Sequence, residues 1–110
     1  MKPIYVTVTG EGTSNVIPMN HYVTPFNVGF GVNKTGTVVY TVQHTFDDVF
    51  ASTFTPASAT WFDHPTIAAK TANADGNYAF PVTGIRIKGN TGSTGTVTLC
   101  LVQAGSAAAN

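Results

Sequence analysis

Residues 37–46 read TVVYTVQHTF. β-branched and aromatic residues fill this run. On an extended chain Val38, Tyr40, Val42 and His44 share one face, and Val39, Thr41, Gln43 and Thr45 share the other. The spacing predicts the strongest strand of the chain. Its surroundings repeat the pattern in both directions.

Before it, NKTG at 33–36 is a hairpin signal, and FNVGFGV at 26–32 predicts a strand with Phe26, Val28 and Phe30 on one face. Gly29 and Gly31 interrupt that run, which marks a bulge or a close approach by another backbone. Further back, Ile4, Val6 and Val8 alternate with Tyr5, Thr7 and Thr9 in a first strand. GEGTS (10–14) forms a turn, and a short strand spans Asn15 to Met19, where Pro18 suggests an edge or a bend. A polar break follows and ends at Pro25.

After it, residues 47–60 are less regular. DDVF favours a single helical turn, with Phe50 and Phe54 tucked beneath the sheets. A short strand is expected from Thr60 to Asp63, then a loop from His64 to Asn77. Within that loop TIAAKTA suggests a helical turn and DGN a tight turn. VTGIRIK (82–88) is a strand with Ile85 and Ile87 inward and Arg86 and Lys88 outward. GNTGSTG is read as the last hairpin loop. Thr96 to Gln103 is the final strand, with Val97, Leu99 and Leu101 inward and Cys100 on the opposite face beside Thr96 and Thr98.

Turn clusters every eight to twelve residues, with almost no helix signal, predict an all-β protein. Seven to eight strands in two antiparallel sheets packed as a sandwich is the expected solution. Jelly-roll-like connections are favoured over an immunoglobulin arrangement, because the paired cysteines flanking a tryptophan are missing. Residues 1–105 form the sandwich domain in this reading, and 106–110 a flexible C-terminal tail.

Composition narrows the function. The chain has 110 residues, enough for one core, and its formal net charge is zero. Charged residues make up 9%, against about 25% in ordinary soluble domains, while threonine occupies 18 positions. No basic cluster offers itself to nucleic acid or to anionic lipid. No apolar run approaches the length of a membrane span, and MKPIYVTVTGEG lacks the apolar core of a secretory signal. Cys100 is the single cysteine, so no intrachain disulfide forms. A neutral, hydroxyl-rich surface is inexpensive to desolvate and is weakly protected against association, which leans toward permanent assembly.

Histidines and aspartates, the residue types of metal and acid–base sites, gather in VQHTFDDVF (42–50) and WFDH (61–64). A metal ion wants three or four converging ligands. His44 lies on a strand and Asp47 just past its end, and Asp47 and Asp48 point to opposite faces of an extended chain. The residues read as turn caps and a strand terminus. NADGN (73–77) lacks the sixth-position glycine and the terminal glutamate of a calcium loop. The glycines at 89, 92 and 95 link strand to strand, without the helix a phosphate loop needs. Cys100 has no neighbouring base, so nucleophilic catalysis is not expected. No catalytic residue, metal or cofactor is assigned. Trp61 and Phe62 must face opposite sides, and whichever is exposed would serve as a partner anchor or as a platform for sugar.

The strings YTVQHTFDD (40–48), ATWFDHP (59–65), DGNYAFPVTGIRI (75–87) and TGTVTLCLVQAG (94–105) resemble a group of short proteins encoded by tailed bacteriophages. The resemblance runs from about Pro25 to Gly105. Small all-β proteins of this group resemble capsid decoration, or cement, proteins, which clamp neighbouring capsid subunits. The resemblance implies a non-catalytic virion protein on the capsid surface, made in the host bacterial cytoplasm. Its expected partners are the major capsid protein and further copies of itself, as a dimer or trimer, and neither nucleic acid nor membrane. Phe50, Phe54, Trp61 and Phe62 are the expected interface residues. A tail, neck or fibre component and a host-glycan binding module are the alternatives.

Overall fold

A computed structural model describes residues 3–19 and 27–104. The described residues hold eight strands and no helix: β1 (Ile4–Thr9), β2 (Ile17–Pro18), β3 (Asn27–Thr35), β4 (Tyr40–Thr45), β5 (Phe62–Asp63), β6 (Ala74–Tyr78), β7 (Gly84–Gly89) and β8 (Thr96–Ala104). They form two antiparallel four-stranded sheets. Sheet I has the order β1-β8-β3-β6 and sheet II the order β2-β7-β4-β5.

The pairing has a simple rule. β1 pairs with β8, β2 with β7, β3 with β6 and β4 with β5. The chain behaves as one long hairpin rolled up until its outer strands reach its inner ones, which is the jelly roll. β3 to β8 and β4 to β7 are the seams that close the roll within each sheet.

Alternation places the core between the sheets. Val97, Leu99 and Leu101 of β8 meet Ile85 and Ile87 of β7 and Val42 of β4, all six fully buried. Tyr40 is also fully buried, and burial pushes its phenol pKa up. Its hydroxyl is satisfied by the Ala72 carbonyl. β4 is buried on both faces. Its outward side carries Thr41, Gln43 and Thr45, whose polar atoms bond to Asn90, Asp63 and the Thr60 carbonyl.

Several expectations change. NKTG is not a hairpin: β3 runs through Thr35, and the chain then crosses from sheet I to sheet II. Gly36 takes a φ of +81° there, a conformation that glycine adopts without strain. GNTGSTG is likewise a crossover between sheets rather than a hairpin loop, since β7 and β8 lie in different sheets. DGN is not a turn but the centre of β6, where Gly76 sits 2.9 Å from the Phe30 ring by the position its Cβ would take. A larger residue there would strike the core, so the glycine serves packing. TIAAKTA forms no helical turn; it runs beside β4, with Lys70 bridging to Tyr40. DDVF forms turns, and Phe50 is 71% exposed instead of tucked under the sheets. Phe54 is half-buried. Phe26 and the tail at 106–110 lie outside the described residues.

Candidate aromatic interface

β5 and β6 are edge strands of the two sheets, and His64, which follows β5, bonds to the Asn77 carbonyl of β6 on that side. An aromatic cluster fills that side. Tyr78, fully buried on β6, is its hub, with ring centroids 4.8 Å from His64, 4.9 Å from His44, 5.4 Å from Phe80 and 5.7 Å from Phe30. The contacts to both histidines and to Phe80 are edge-to-face, the geometry that matches ring edge to ring face.

Both histidines in the cluster are placed by hydrogen bonds. The His64 Nδ1 accepts from the backbone N–H groups of Thr66 and Ile67, and Nε2 lies 3.0 Å from the Asn77 carbonyl. Two N–H donors on one ring nitrogen and a carbonyl at the other define one tautomer, protonated at Nε2. His64 thereby ties the chain after β5 to β6. The His44 Nδ1 lies 2.9 Å from the Tyr78 hydroxyl. Burial pushes the Tyr78 phenol pKa up, and the Asp63 charge adds to the shift, so the phenol keeps its proton, and the His44 tautomer sets which of the two groups donates. Burial lowers the His44 pKa; the nearby His64 adds to this and Asp63 opposes it.

Around this floor stands a rim. Phe46 and Phe62 are 52% and 48% exposed, and Phe80 is exposed beside them. The His44 ring stacks on Phe62 at 25° and meets the edges of Phe46 and Phe80, each at 5.4 Å. Phe46 and Phe62 lie 5.8 Å apart. Phe50, on the following turn, is more exposed still. Large apolar side chains grouped at the surface mark a contact surface more than a scatter of single ones would.

Trp61 lies on the other side of β5, as the alternation required, yet it is no free platform. The Arg86 guanidinium sits 4.0 Å from its ring centroid, and its Nε1 donates to the Pro56 carbonyl. Arg86 Nε in turn donates to Gln43 Oε1, and Gln43 Nε2 donates to Asp63 Oδ1, each at 2.9 Å. Partial burial lowers the Arg86 pKa, and the Trp61 ring face offers the cation a compensating partner. This relay of planar groups covers the outer face of sheet II.

The acidic residues of the opening cluster hold backbone. Asp48 Oδ1 accepts from Phe50 N–H, and Asp47 Oδ2 accepts from Thr60 N–H at 2.8 Å, pinning both ends of the 47–60 excursion. Among the described residues no three His, Cys, Asp or Glu side chains come together where they could hold a metal ion. Of the expected interface residues, Phe62 belongs to the rim and Phe50 is exposed on the turn after β4, while Phe54 and Trp61 are half-buried. Phe46 and Phe80 were not singled out in advance. The signal was available: Phe46 continues the inward face of β4 one step past its end, where no partner sheet remains to cover it.

Compared with known proteins, the chain matches no family model, no curated protein and no solved structure.

Proposed function

We propose that the protein is a structural component of a bacteriophage virion, a capsid decoration protein that clamps neighbouring capsid subunits without catalysis. The observation that carries this reading is the rim of Phe46, Phe62 and Phe80, exposed on a rigid, doubly hydrogen-bonded floor. Aromatic anchors of this kind contribute most of the energy of protein contacts, and a prepaid scaffold limits the ordering cost of binding. The scarcity of charge supports the same role, since little is lost when such a surface is desolvated. The partner is the major capsid protein. Repetition of the site over the shell makes binding multivalent. Further copies of the chain are the second partner.

Purified virions test this. Stripping the protein should lower the thermal and osmotic resistance of the heads, and adding it back should restore them. Heads indifferent to its presence, or virions that lack it, overturn the reading. Copy number separates shell from tail: hundreds per particle support decoration, and a dozen or fewer point to a tail, neck or fibre component.

A further inference from the structure

We propose that the cavity between the turn at 10–13 and the end of β7 is a binding site for a neutral saccharide. It lies at the opposite end of β4 from the aromatic rim, since Val39 precedes that strand and Phe46 follows it, and its test is independent of the capsid reading.

The first observation is a built cavity. A depression of about 610 Å³ is lined by Glu11, Val39, Lys88, Gly89, Asn90 and Thr91. That volume falls within the roughly 300–1,000 Å³ of small-molecule sites. Hydrogen bonds between segments far apart in sequence hold its walls. Gly89 N–H donates to the Gly12 carbonyl at 2.9 Å, and Asn90 N–H to the Val39 carbonyl at 2.7 Å. The hydroxyl of Ser93, a buried residue, accepts from Val39 N–H and donates to the Val39 carbonyl. A Cβ on Gly89 would strike Gly10 backbone, so glycine is what lets the turn lie this close to β7. Walls fixed before a ligand arrives reduce the ordering cost of binding it.

The second observation is the set of polar groups. Glu11 Oε2 accepts from Gly92 N–H at 2.9 Å, which fixes the carboxylate and leaves Oε1 as an acceptor. Asn90 Oδ1 accepts from the Thr41 hydroxyl, which itself accepts from Ala69 N–H, so the carboxamide NH2 is left as a donor. Among the described residues the Lys88 ammonium forms no ion pair, with Glu11 or with any other carboxylate. It supplies further donors, and the Thr91 hydroxyl both donates and accepts.

The third is charge. One carboxylate and one ammonium in the lining sum to zero. An anion would meet Glu11, and a cation would meet Lys88. A zwitterion could pair with both, but ion pairs in an open, solvated cavity contribute little. Hydroxyl groups donate to a carboxylate and accept from an ammonium or an amide, and bonds to the charged groups are the stronger kind. A sugar ring carries several hydroxyls at fixed spacing, and its C–H face suits the apolar side chain of Val39. It is a neutral ligand that answers each group in the lining.

Chemical-shift titration of the isotope-labelled full chain provides the test, with the methyl glycosides of glucose, galactose, mannose and N-acetylglucosamine as probes. At least one of them should shift the amides of Glu11, Asn90 and Gly92, saturate in the millimolar range, and leave Phe62 and Tyr78 unmoved. Glu11→Gln keeps an acceptor for Gly92 N–H, and Lys88→Met keeps the side-chain stem, so both should retain the wild-type melting temperature. Each should weaken the sugar at least about tenfold, the loss of one charge-assisted contact. Trp61→Phe should bind as the wild type does, which separates this cavity from a sugar platform on the indole. The free amino acid glycine and inorganic phosphate should shift nothing. No shift with any of these glycosides up to tens of millimolar overturns the proposal. So does a sugar that both charge variants bind unchanged, a sugar lost with Trp61→Phe instead, or a response to glycine or phosphate in place of the sugars.

Discussion

The Nδ1 of His44 and the hydroxyl of Tyr78 meet at 2.9 Å, and they come from different sheets. It is a polar link across the sandwich at the end where the apolar core gives way to the aromatic rim. Tyr78→Phe keeps the ring packing and leaves a buried imidazole nitrogen unpaired. The loss should be about 1–3 kcal/mol in urea denaturation.

The same pair predicts a pH dependence. Burial holds the His44 pKa below its unfolded value, so between the two values the unfolded chain binds the proton more tightly. Stability is therefore complete above the ordinary histidine pKa of about 6.5 and falls as pH drops through it toward the folded value. Denaturation midpoints measured from pH 8 down to pH 5 should show this slope. His44→Gln should flatten it.

Trp61 is the single tryptophan, so its fluorescence reports on one place. Arg86→Ala uncovers the indole ring and frees Gln43 Oε1. Emission should shift to longer wavelength in the folded protein, with a stability loss of about 1 kcal/mol.

Phe50 touches no ring of the core cluster and is exposed, so Phe50→Ser should change stability by less than about 0.5 kcal/mol. Binding to stripped heads should weaken if the aromatic end faces the capsid. Phe62→Ser should weaken it further, at some cost in stability, because Phe62 also stacks on His44.

Gly89→Ala should abolish folding. A Cβ there would lie 1.9 Å from the Gly10 carbonyl oxygen and 3.1 Å from its carbon, and the obstacle is backbone rather than a side chain that could turn aside. Circular dichroism of the purified variant checks this.

β1, β4, β7 and β8 were legible because each alternates cleanly, and the inward residues Ile85, Ile87, Val97, Leu99 and Leu101 all reached the core. β6 was not legible. Its sequence ADGNY carries turn residues, and it is a strand only because β3 supplies the hydrogen bonds and the Phe30 ring demands a glycine opposite it. The crossovers at 36 and 90–95 look like hairpin loops for the same reason: local turn chemistry does not say which sheet the next strand joins. The aspartates at 47 and 48 carry their turn role in the local sequence, and they hold the turn through Phe50 and Thr60 backbone N–H groups. The site was partly hidden. Exposure of Phe46 and Phe80 follows from where the sheets stop, a tertiary fact absent from any short window.

The rolled-hairpin pairing also governs the order in which the fold can form. β8 is the last strand, yet it lies between β1 and β3 in sheet I. Until residues 96–104 have been synthesised, β1 has no partner in its sheet and β3 has one neighbour instead of two. Sheet II can pair earlier, but its inner face has only part of the opposite layer to cover it. Closure of the sandwich is thus deferred until β8 has been made and is dominated by contacts distant in sequence, the regime of milliseconds to seconds rather than microseconds. For that interval the unpaired edges of β1 and β3 are open to other nascent chains. A threonine-rich first strand of modest hydrophobicity is a safer object to leave waiting than an apolar one.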